Sequence, residues 1–461
     1  MARFAGPLLL LAVSILLLFF DFGARVLATN DETRFPMLAR DILAHGNWLL
    51  PRLNGLPHLN KPPLFAWLVA LGAWHGGTVT QSSALWPSLI AAVGVVIATV
   101  CVGWRLWNRA IGLTAGFIVL TTHGVFTLAR APLPDMMLCF VLTTAMAAFV
   151  AAEFEGRRLA LPVFYVLLGL GFWTKGPAAL LGLAIAVVFI VCTAGWRPLR
   201  QLALPAGLLL LSLMVAPWFV LSATAGREQF LRHIVITDWL LWYLPLGHWS
   251  WHAIPEPIGQ TLSILLPWSP LIPFAVVSGL RTEARTEARK ATFLLVWAGV
   301  VLFLIGLSEQ QRMRYYLPLC PPAAALIAVW YHGLVSRHRK VLGAASVALA
   351  TVGLIVWQVA DTARHNALTD LGALRASTVM AGAPIYAVDV PELVLAFYLD
   401  RPVVTLSPDE EFQFHGRTAP VRYLVVADRA LPQFPDHRPI VKLATGSVNG
   451  RRFSVLLSGA P

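Results

Sequence analysis

Asp31 and Glu32 stand together just after the first apolar run of the sequence, and Lys61 lies in LNKPPL at the start of the next. Arg130 and Asp135 bracket the start of another apolar run in LARAPLPDMML. Lys175 sits in GFWTKGP, and Arg312, Arg314, Tyr315 and Tyr316 sit in EQQRMRYYLPL. Carboxylates can take a proton from a hydroxyl, and fixed Lys and Arg can hold charge that develops on oxygen. Ionisable residues at membrane depth are functional candidates by default, because burying them is expensive.

Taken singly, each residue has a plain structural use. Lys61 and Lys175 can snorkel toward lipid headgroups, Arg130 and Asp135 can form an ion pair, and Asp31-Glu32 can cap a helix N-terminus. Tyr315, Tyr316 and most of the 17 Trp fit an aromatic belt. What favours a site is accumulation, since acids and bases from five segments fall at one face.

The elements that hold such a set must be membrane helices. Hydrophobic residues make up 57% of the 461 positions and charged residues 13%, with a mean hydropathy of +0.70. A globular chain carries about 25% charged residues, so lipid rather than a soluble core must take up this apolar surface. A spanning helix needs ~20 apolar residues, because the hydrocarbon layer is ~30 Å thick and a helix rises ~1.5 Å per residue. Apolar stretches fall at about 7–22, 62–76, 84–104, 110–127, 131–152, 159–174, 177–194, 202–222, 258–280, 291–307, 315–332 and 341–359. Loop charge orients them. If 62–76 does not span, Arg105/Arg109, Arg157/Arg158, Arg197/Arg200, Arg281/Arg285/Arg289/Lys290 and Arg337/Arg339/Lys340 all lie on the cytoplasmic side. About eleven spans are therefore expected, with 62–76 at the outer interface.

The net charge of +12 sits in short clusters between apolar runs, as orientation signals do, which argues against a nucleic-acid partner. Cys101, Cys139, Cys192 and Cys320 all lie inside apolar stretches, so no disulfide framework is indicated. The basic, then apolar, start MARFAGPLLLLAVSILLLFF fits either a signal peptide or a first span. The span is the preferred reading, because acidic and aromatic residues follow it closely.

This topology leaves 23–83, 223–257 and everything after about 360 outside, with the short turns near 127–131, 174–177 and 308–314. Between Asp31 and Gly46, Phe35, Leu38, Ile42 and Leu43 recur at helical spacing, predicting an amphipathic helix in the interface. Beyond the last span, APIYAV (383–388), PVVTL (402–406), YLVVAD (423–428) and FSVLLS (453–458) predict strands and PELVLAFYLD (391–400) a helix. The expected organisation is an all-α polytopic membrane domain over 1–360 and a small soluble periplasmic α/β domain over 361–461.

Asp31-Glu32-Thr33-Arg34-Phe35, followed by HGNWLLPRLNGLPHLNKPPL (45–64), resembles the first periplasmic loop of the aminoarabinose-transferase-like and protein O-mannosyltransferase-like enzymes. These have the GT-C fold and use lipid-phosphate sugar donors. ARAPLPDMML (129–138), GLGFWTKGPAAL (169–180) and RMRYYLPLCPPAAALIA (312–328) are similar to later parts of that pattern, in the same order. The resemblance spans roughly residues 1–335. It implies that Asp31 is the catalytic carboxylate, with Glu32 beside it and Asp135 as a second important acid. It implies that Lys61 contacts the lipid phosphate and that Arg312 or Arg314, with Tyr315, helps hold it. Arg130, Lys175, His248 and Tyr316 join that substrate-binding set. One departure concerns metal. The aminoarabinose-transferase branch has Glu before the loop lysine, partnered by a histidine of the second external loop. Here that position is Asn60, with His248 or His252 available, and a neutral Asn is a weak metal ligand.

The implied reaction moves a sugar from undecaprenyl phosphate to a lipid, glycan or protein acceptor at the periplasmic face of a bacterial inner membrane. The chain is expected to act as a monomer without nucleotide or Mg²⁺. A transporter or flippase for a lipid-linked or anionic solute is the alternative from another class. It predicts paired broken helices at mid-membrane, whereas these polar groups gather at one face.

Overall fold

Apolar runs in lipid fold as helices because a helix satisfies every backbone N–H and C=O within its own segment. The computed structural model describes residues 2–226, 235–236, 255–308, 311–372, 374, 385–406, 422–431 and 440–458. Its first half comprises α1 (Ala2–Phe19), α2 (Asn30–His45), the strands β1 (Arg52–Leu53) and β2 (Leu56–Pro57), α3 (Leu64–Ala73), α4 (Gln81–Leu106), α5 (Arg109–Leu120), α6 (His123–Leu128), α7 (Pro134–Phe154), α8 (Ala160–Lys175), α9 (Leu181–Ala194) and α10 (Leu204–Ala225). Then come α11 (Pro255–Ile264), α12 (Ile272–Leu280), α13 (Arg285–Gly306), α14 (Cys320–Gly333) and α15 (Ser336–Leu368).

The chain is a multi-pass membrane protein, but its long apolar helices are fewer than the eleven expected spans. Among the described residues six are long and apolar enough to cross, or seven if the bent pair 255–264 and 269–280 counts as one span. Hydropathy registers apolar content and not whether a run forms one rod. Ala5–Phe19 and Arg109–Leu120 are apolar but short, and the 258–280 run bends by 112°. The 315–332 run opens as a 3-10 helix, Met313–Leu319, and continues as α14. Pro318, Pro321 and Pro322 lie at that junction, where a missing N–H weakens the ladder. The apolar stretch 160–194 turns back at Gly176, whose φ is 66°. A Cβ on Gly182 would lie 2.6 Å from the Leu168 side chain, so the start of α9 folds back against α8.

Helix α3 has ten residues, about 15 Å of rise, so it is half the length needed to cross. The amphipathic helix predicted after Asp31 is present as α2 and ends on Gly46, at φ 69°. Its apolar face is covered by protein rather than left to lipid: Phe35, Leu38 and Ile42 are buried, and Phe35 meets Phe65 of α3 edge-on at 5.2 Å. The two termini of α7 carry opposite tasks. Asp135 lies in its first turn, while at the far end Arg105 and Arg157 pair with Glu155 at 2.7 and 2.8 Å and Arg289 pairs with Glu153.

The C-terminal part has β3 (Ile385–Val388), α16 (Glu392–Leu399), β4 (Val403–Thr405), β5 (Arg422–Ala427), β6 (Ile440–Val448) and β7 (Arg451–Ser458). The sheet order is β4-β3-β5-β7-β6, with β3 parallel to β4 and β5, and β7 antiparallel to β5 and β6. Val425 packs on one face with Val394 and Leu395 of α16, and Val426 packs on the other. Strand β6 was not predicted, because IVKLATGSV mixes Lys, Thr and Ser into an edge strand. The hairpin β1–β2 was also missed, although Asn54-Gly55 carries the positive φ values (51° and 83°) that such a turn requires.

Candidate active site

The start of α2 divides two adjacent acids between two jobs. Thr29 is the N-cap and accepts the Glu32 N–H at 3.2 Å. The Glu32 carboxylate turns back to accept from the Ala28 N–H at 3.0 Å and the Thr29 hydroxyl at 3.1 Å, and it pairs with Arg25. This is a variant of the Thr-x-x-Glu capping box in which the carboxylate takes the N–H of the residue before the cap. Asp31, one residue earlier, is left free of the cap. Glu32, grouped with the catalytic acids on sequence, therefore belongs to the helix terminus instead.

Asp31 faces three guanidinium groups. Its Oδ2 accepts from Arg312 Nη1 at 2.6 Å and Arg314 Nη2 at 2.8 Å, and Oδ1 lies 3.2 Å from Arg34 Nη2. Burial pushes its carboxyl up, but Arg314, with Arg34 and Arg312, outweighs that and holds it at about 2. Both arginines come from the turn between α13 and α14. Gln311 shapes that turn by donating Nε2 to the Ile305, Gly306 and Ser308 carbonyls at 3.1, 3.2 and 2.6 Å. The buried Tyr316 donates its hydroxyl to Gln311 Oε1, so Tyr316 supports the turn from behind.

A second carboxylate lies on the other side of Arg314. Asp135 is 4% exposed and accepts from Lys175 Nζ at 2.5 Å; Arg314 Nε is 4.0 Å from its other oxygen. Arg314 thus stands between Asp31 and Asp135. Lys175 Nζ also lies 4.3 Å from the centre of the Tyr315 ring. A cavity of about 20 Å³ has Asp135, Lys175, Arg314 and Tyr315 on its polar side and Leu138, Ala178, Leu181, Ile305 and Pro318 on its apolar side. That is room for about one water.

Lys61 reaches this group from the loop before α3. Burial lowers its ammonium to about 8, helped by Lys175, Arg34 and Arg314 and opposed by Asp135. Among the described residues Lys61 has no carboxylate within ion-pair distance. His58, three residues earlier, is held neutral, its pKa pushed down to about 3 by burial and by Arg34 and Lys61; its Nε2 is buried without a hydrogen-bond partner among the described residues.

A family model described as dolichyl-phosphate-mannose-protein mannosyltransferase matches residues 60–221. Two curated relatives are undecaprenyl phosphate-alpha-4-amino-4-deoxy-L-arabinose arabinosyl transferases. The one from Erwinia tasmaniensis is 28% identical over 72% of this chain and 59% of its own length. The one from Sodalis glossinidius is 30% identical over 74% of this chain and 62% of its own length. The chain spans about three-fifths of the length of the curated relatives it matches. The structure of ArnT from Cupriavidus metallidurans bound to undecaprenyl phosphate superposes with a TM-score of 0.81 at 18% identity, covering 98% of both chains. The chain shares the GT-C fold of that structure. An archaeal oligosaccharyltransferase, AglB from Archaeoglobus fulgidus, is a more distant likeness, with a TM-score of 0.57 at 12% identity over 93% of this chain and 69% of that one.

The geometry gathers Asp31, Asp135, Lys61, Lys175, Arg312, Arg314 and Tyr315. It does not bring Arg130 to them. Arg130 donates to the Leu17 and Phe126 carbonyls at 2.6 and 2.7 Å and lies over the Phe126 ring at 4.0 Å, so it ties α1 to α6. Nor is Arg130 the ion-pair partner of Asp135, a place taken by Lys175. His248 and His252 lie outside the described residues, as does most of 223–257. Arg34, His58 and Gln311 are the residues the sequence reading missed. For Arg34 the signal was present, since it sits three residues after Asp31 on a helix and so on the same face.

The described residues do not fit a metal centre. Asn60 is exposed and neutral, and no group of three or more His, Cys, Asp and Glu among the described residues is placed to hold an ion.

Proposed function

We propose that this ArnT-like chain transfers a sugar from a polyprenyl phosphate to an acceptor at the periplasmic face of a bacterial inner membrane. The observation that carries the reading is a charge imbalance. Among the described residues Lys61, Lys175, Arg34, Arg312 and Arg314 surround two carboxylates, Asp31 and Asp135. An excess of fixed cations beside apolar walls suits a phosphate carried on a lipid.

In the proposed step the bond between the sugar's anomeric carbon and the phosphate oxygen breaks, and its electron pair stays on the departing polyprenyl phosphate. The acceptor oxygen bonds to the anomeric carbon, and its proton goes to Asp31. Lys61, Arg312 and Arg314 face the charge that grows on the phosphate. A donor phosphate competes with Asp31 for the same arginines. As it takes their hydrogen bonds, the carboxylate loses what held it at about 2 and becomes a better base. Mass spectrometry of lipids and envelope glycans from cells with and without the protein tests the function. An unchanged glycan and glycolipid profile counts against it, as does a purified chain that moves a solute and never cleaves a lipid-phosphate sugar. The transport alternative calls for paired broken helices; the described residues contain one bent pair.

Lys61→Ala is expected to weaken undecaprenyl phosphate binding tenfold or more, since a hydrogen bond to a charged group is worth ~1.5–3 kcal/mol. Lys61→Arg should restore only part, because the guanidinium is planar and larger. With its ammonium at about 8, Lys61 loses its proton as pH rises through that value, so affinity should fall above it, and Lys61→Arg should lack this decline. Unchanged affinity in Lys61→Ala would assign the lysine to another task.

The topology we propose keeps eleven crossings, a membrane domain over 1–360 and an external domain over 361–461. It is supported by the turn between α8 and α9 at Gly176, and by the basic clusters at the end of α7 opposite Asp135. Single cysteines at Arg285 and Asn449, with the four native cysteines replaced, should separate the two sides. In intact spheroplasts an impermeant thiol reagent should label position 449 and not 285. Equal labelling sinks the arrangement.

A further inference from the structure

Helix α16 lies along α2 and grips it near both ends. Asn30, the residue before Asp31, donates from Nδ2 to Glu392 Oε2 at 2.9 Å and accepts the Leu393 N–H at 3.1 Å, so both ends of its amide are engaged. Arg40 donates to the Phe397 carbonyl at 2.7 Å, lies over the Phe397 ring at 4.3 Å and pairs with Asp400 at 3.1 Å. Tyr398 accepts the Leu27 N–H at 2.8 Å, which fixes the chain just before α2. Met37, between these grips, packs against the core of the C-terminal sheet.

Successive residues on a helix point ~100° apart. Asn30 can therefore face α16 while Asp31 faces Arg312 and Arg314. We propose that the C-terminal unit is a positioning device for the acting carboxylate: α16, through Asn30 and Arg40, sets where Asp31 meets the arginines of the α13–α14 turn. The inference rests on the reading of Asp31 given above. A carboxylate misplaced by an ångström loses most of its effect on a reacting hydroxyl, so Asn30 and Arg40 are positioning residues that touch no substrate.

The test uses the full chain in nanodiscs and in membranes carrying the native donor pool. Asn30→Ala, Arg40→Ala and Glu392→Ala should each lower turnover about tenfold, while affinity for undecaprenyl phosphate stays within about twofold. Glu392→Gln keeps an acceptor for Asn30 and should retain turnover. Asn30→Ala combined with Glu392→Ala should lose little more than Asn30→Ala alone, because the contact the two share is lost only once. Hydrogen exchange in the first turn of α2 gives a readout independent of substrate. It should quicken about tenfold in Asn30→Ala and Glu392→Ala, and not in Glu392→Gln. Arg429→Ala, which breaks the Arg429–Asp389 pair elsewhere in the C-terminal unit, is the control.

Turnover and exchange near those of the unaltered chain in Asn30→Ala and Arg40→Ala overturn the proposal. So does an equal loss in Arg429→Ala, which would point to general unfolding of the C-terminal unit. Near-normal turnover in Asp31→Asn would instead remove the reading beneath it, and the exchange data would then still report whether α16 holds α2.

Discussion

Asp31→Asn is expected to slow transfer by ~10²-fold or more, the low end of what a general base contributes, with undecaprenyl phosphate still bound. The substitution isolates chemistry from folding. The helix start is held by Thr29 and Glu32, and Asp31 is no part of that cap, so the fold should be retained. The amide cannot accept a proton at neutral pH. Removing the negative partner also frees Arg312 and Arg314, which now spend hydrogen bonds on Asp31. Lipid phosphate should consequently bind as tightly as before or more so. Initial transfer rate and lipid affinity, measured on the same preparation, separate the two effects. Turnover close to that of the unaltered chain would take Asp31 out of the reaction and leave Asp135 as the acid to test. An acceptor that is itself a phosphate is already ionised and needs no base; for it the loss should be smaller, with Asp31 acting by orientation.

Lys175→Met should give the largest loss of stability of any single change at the site. Asp135 is buried, and Lys175 is its closest cation. Taking one partner from a buried pair costs ~3–5 kcal/mol, chiefly because the remaining charge stays desolvated. Arg314, 4.0 Å from the other oxygen, offsets part of that, which places the expectation near ~3 kcal/mol. Lys175→Met combined with Asp135→Asn should recover most of the thermal stability, since no unpaired charge is left inside. Transfer should stay impaired in the double variant, because a cation facing the donor phosphate has gone. A single Lys175→Met variant that melts with the unaltered chain would show that Asp135 finds enough compensation elsewhere.

Much of the scaffold was legible because it follows from periodicity and length. Phe35, Leu38 and Ile42 announce α2, and the short run after Pro62-Pro63 is too brief to cross. The gathering of Asp31, Asp135, Lys61 and Lys175 could be anticipated from their common place at the ends of apolar runs. The division of labour between Asp31 and Glu32 could not be. Two neighbouring acids have the same propensity for a helix start, and only the direction each side chain takes decides which one caps. Arg130 was misassigned for a related reason: its partners are the carbonyls of Leu17 and Phe126, and backbone oxygens carry no sequence signature. The span count fails where a hydropathy window cannot see a bend, as in the 258–280 run, which bends by 112°.

Helix α15 runs unbroken for 33 residues, from Ser336 to Leu368, about 50 Å against a hydrocarbon layer of ~30 Å. Its upper end is fastened: Asn366 accepts the Val26 N–H and donates to the Ala24 carbonyl, and Thr362 donates to Asp21. The connection to the sheet is therefore a ruler and not a tether. One inserted residue turns everything beyond it by about 100°, whereas seven nearly restore the phase and lift it about 10 Å. Among relatives of this chain, changes in length along α15 should accordingly be rare or come in steps near whole turns, while other connections vary freely.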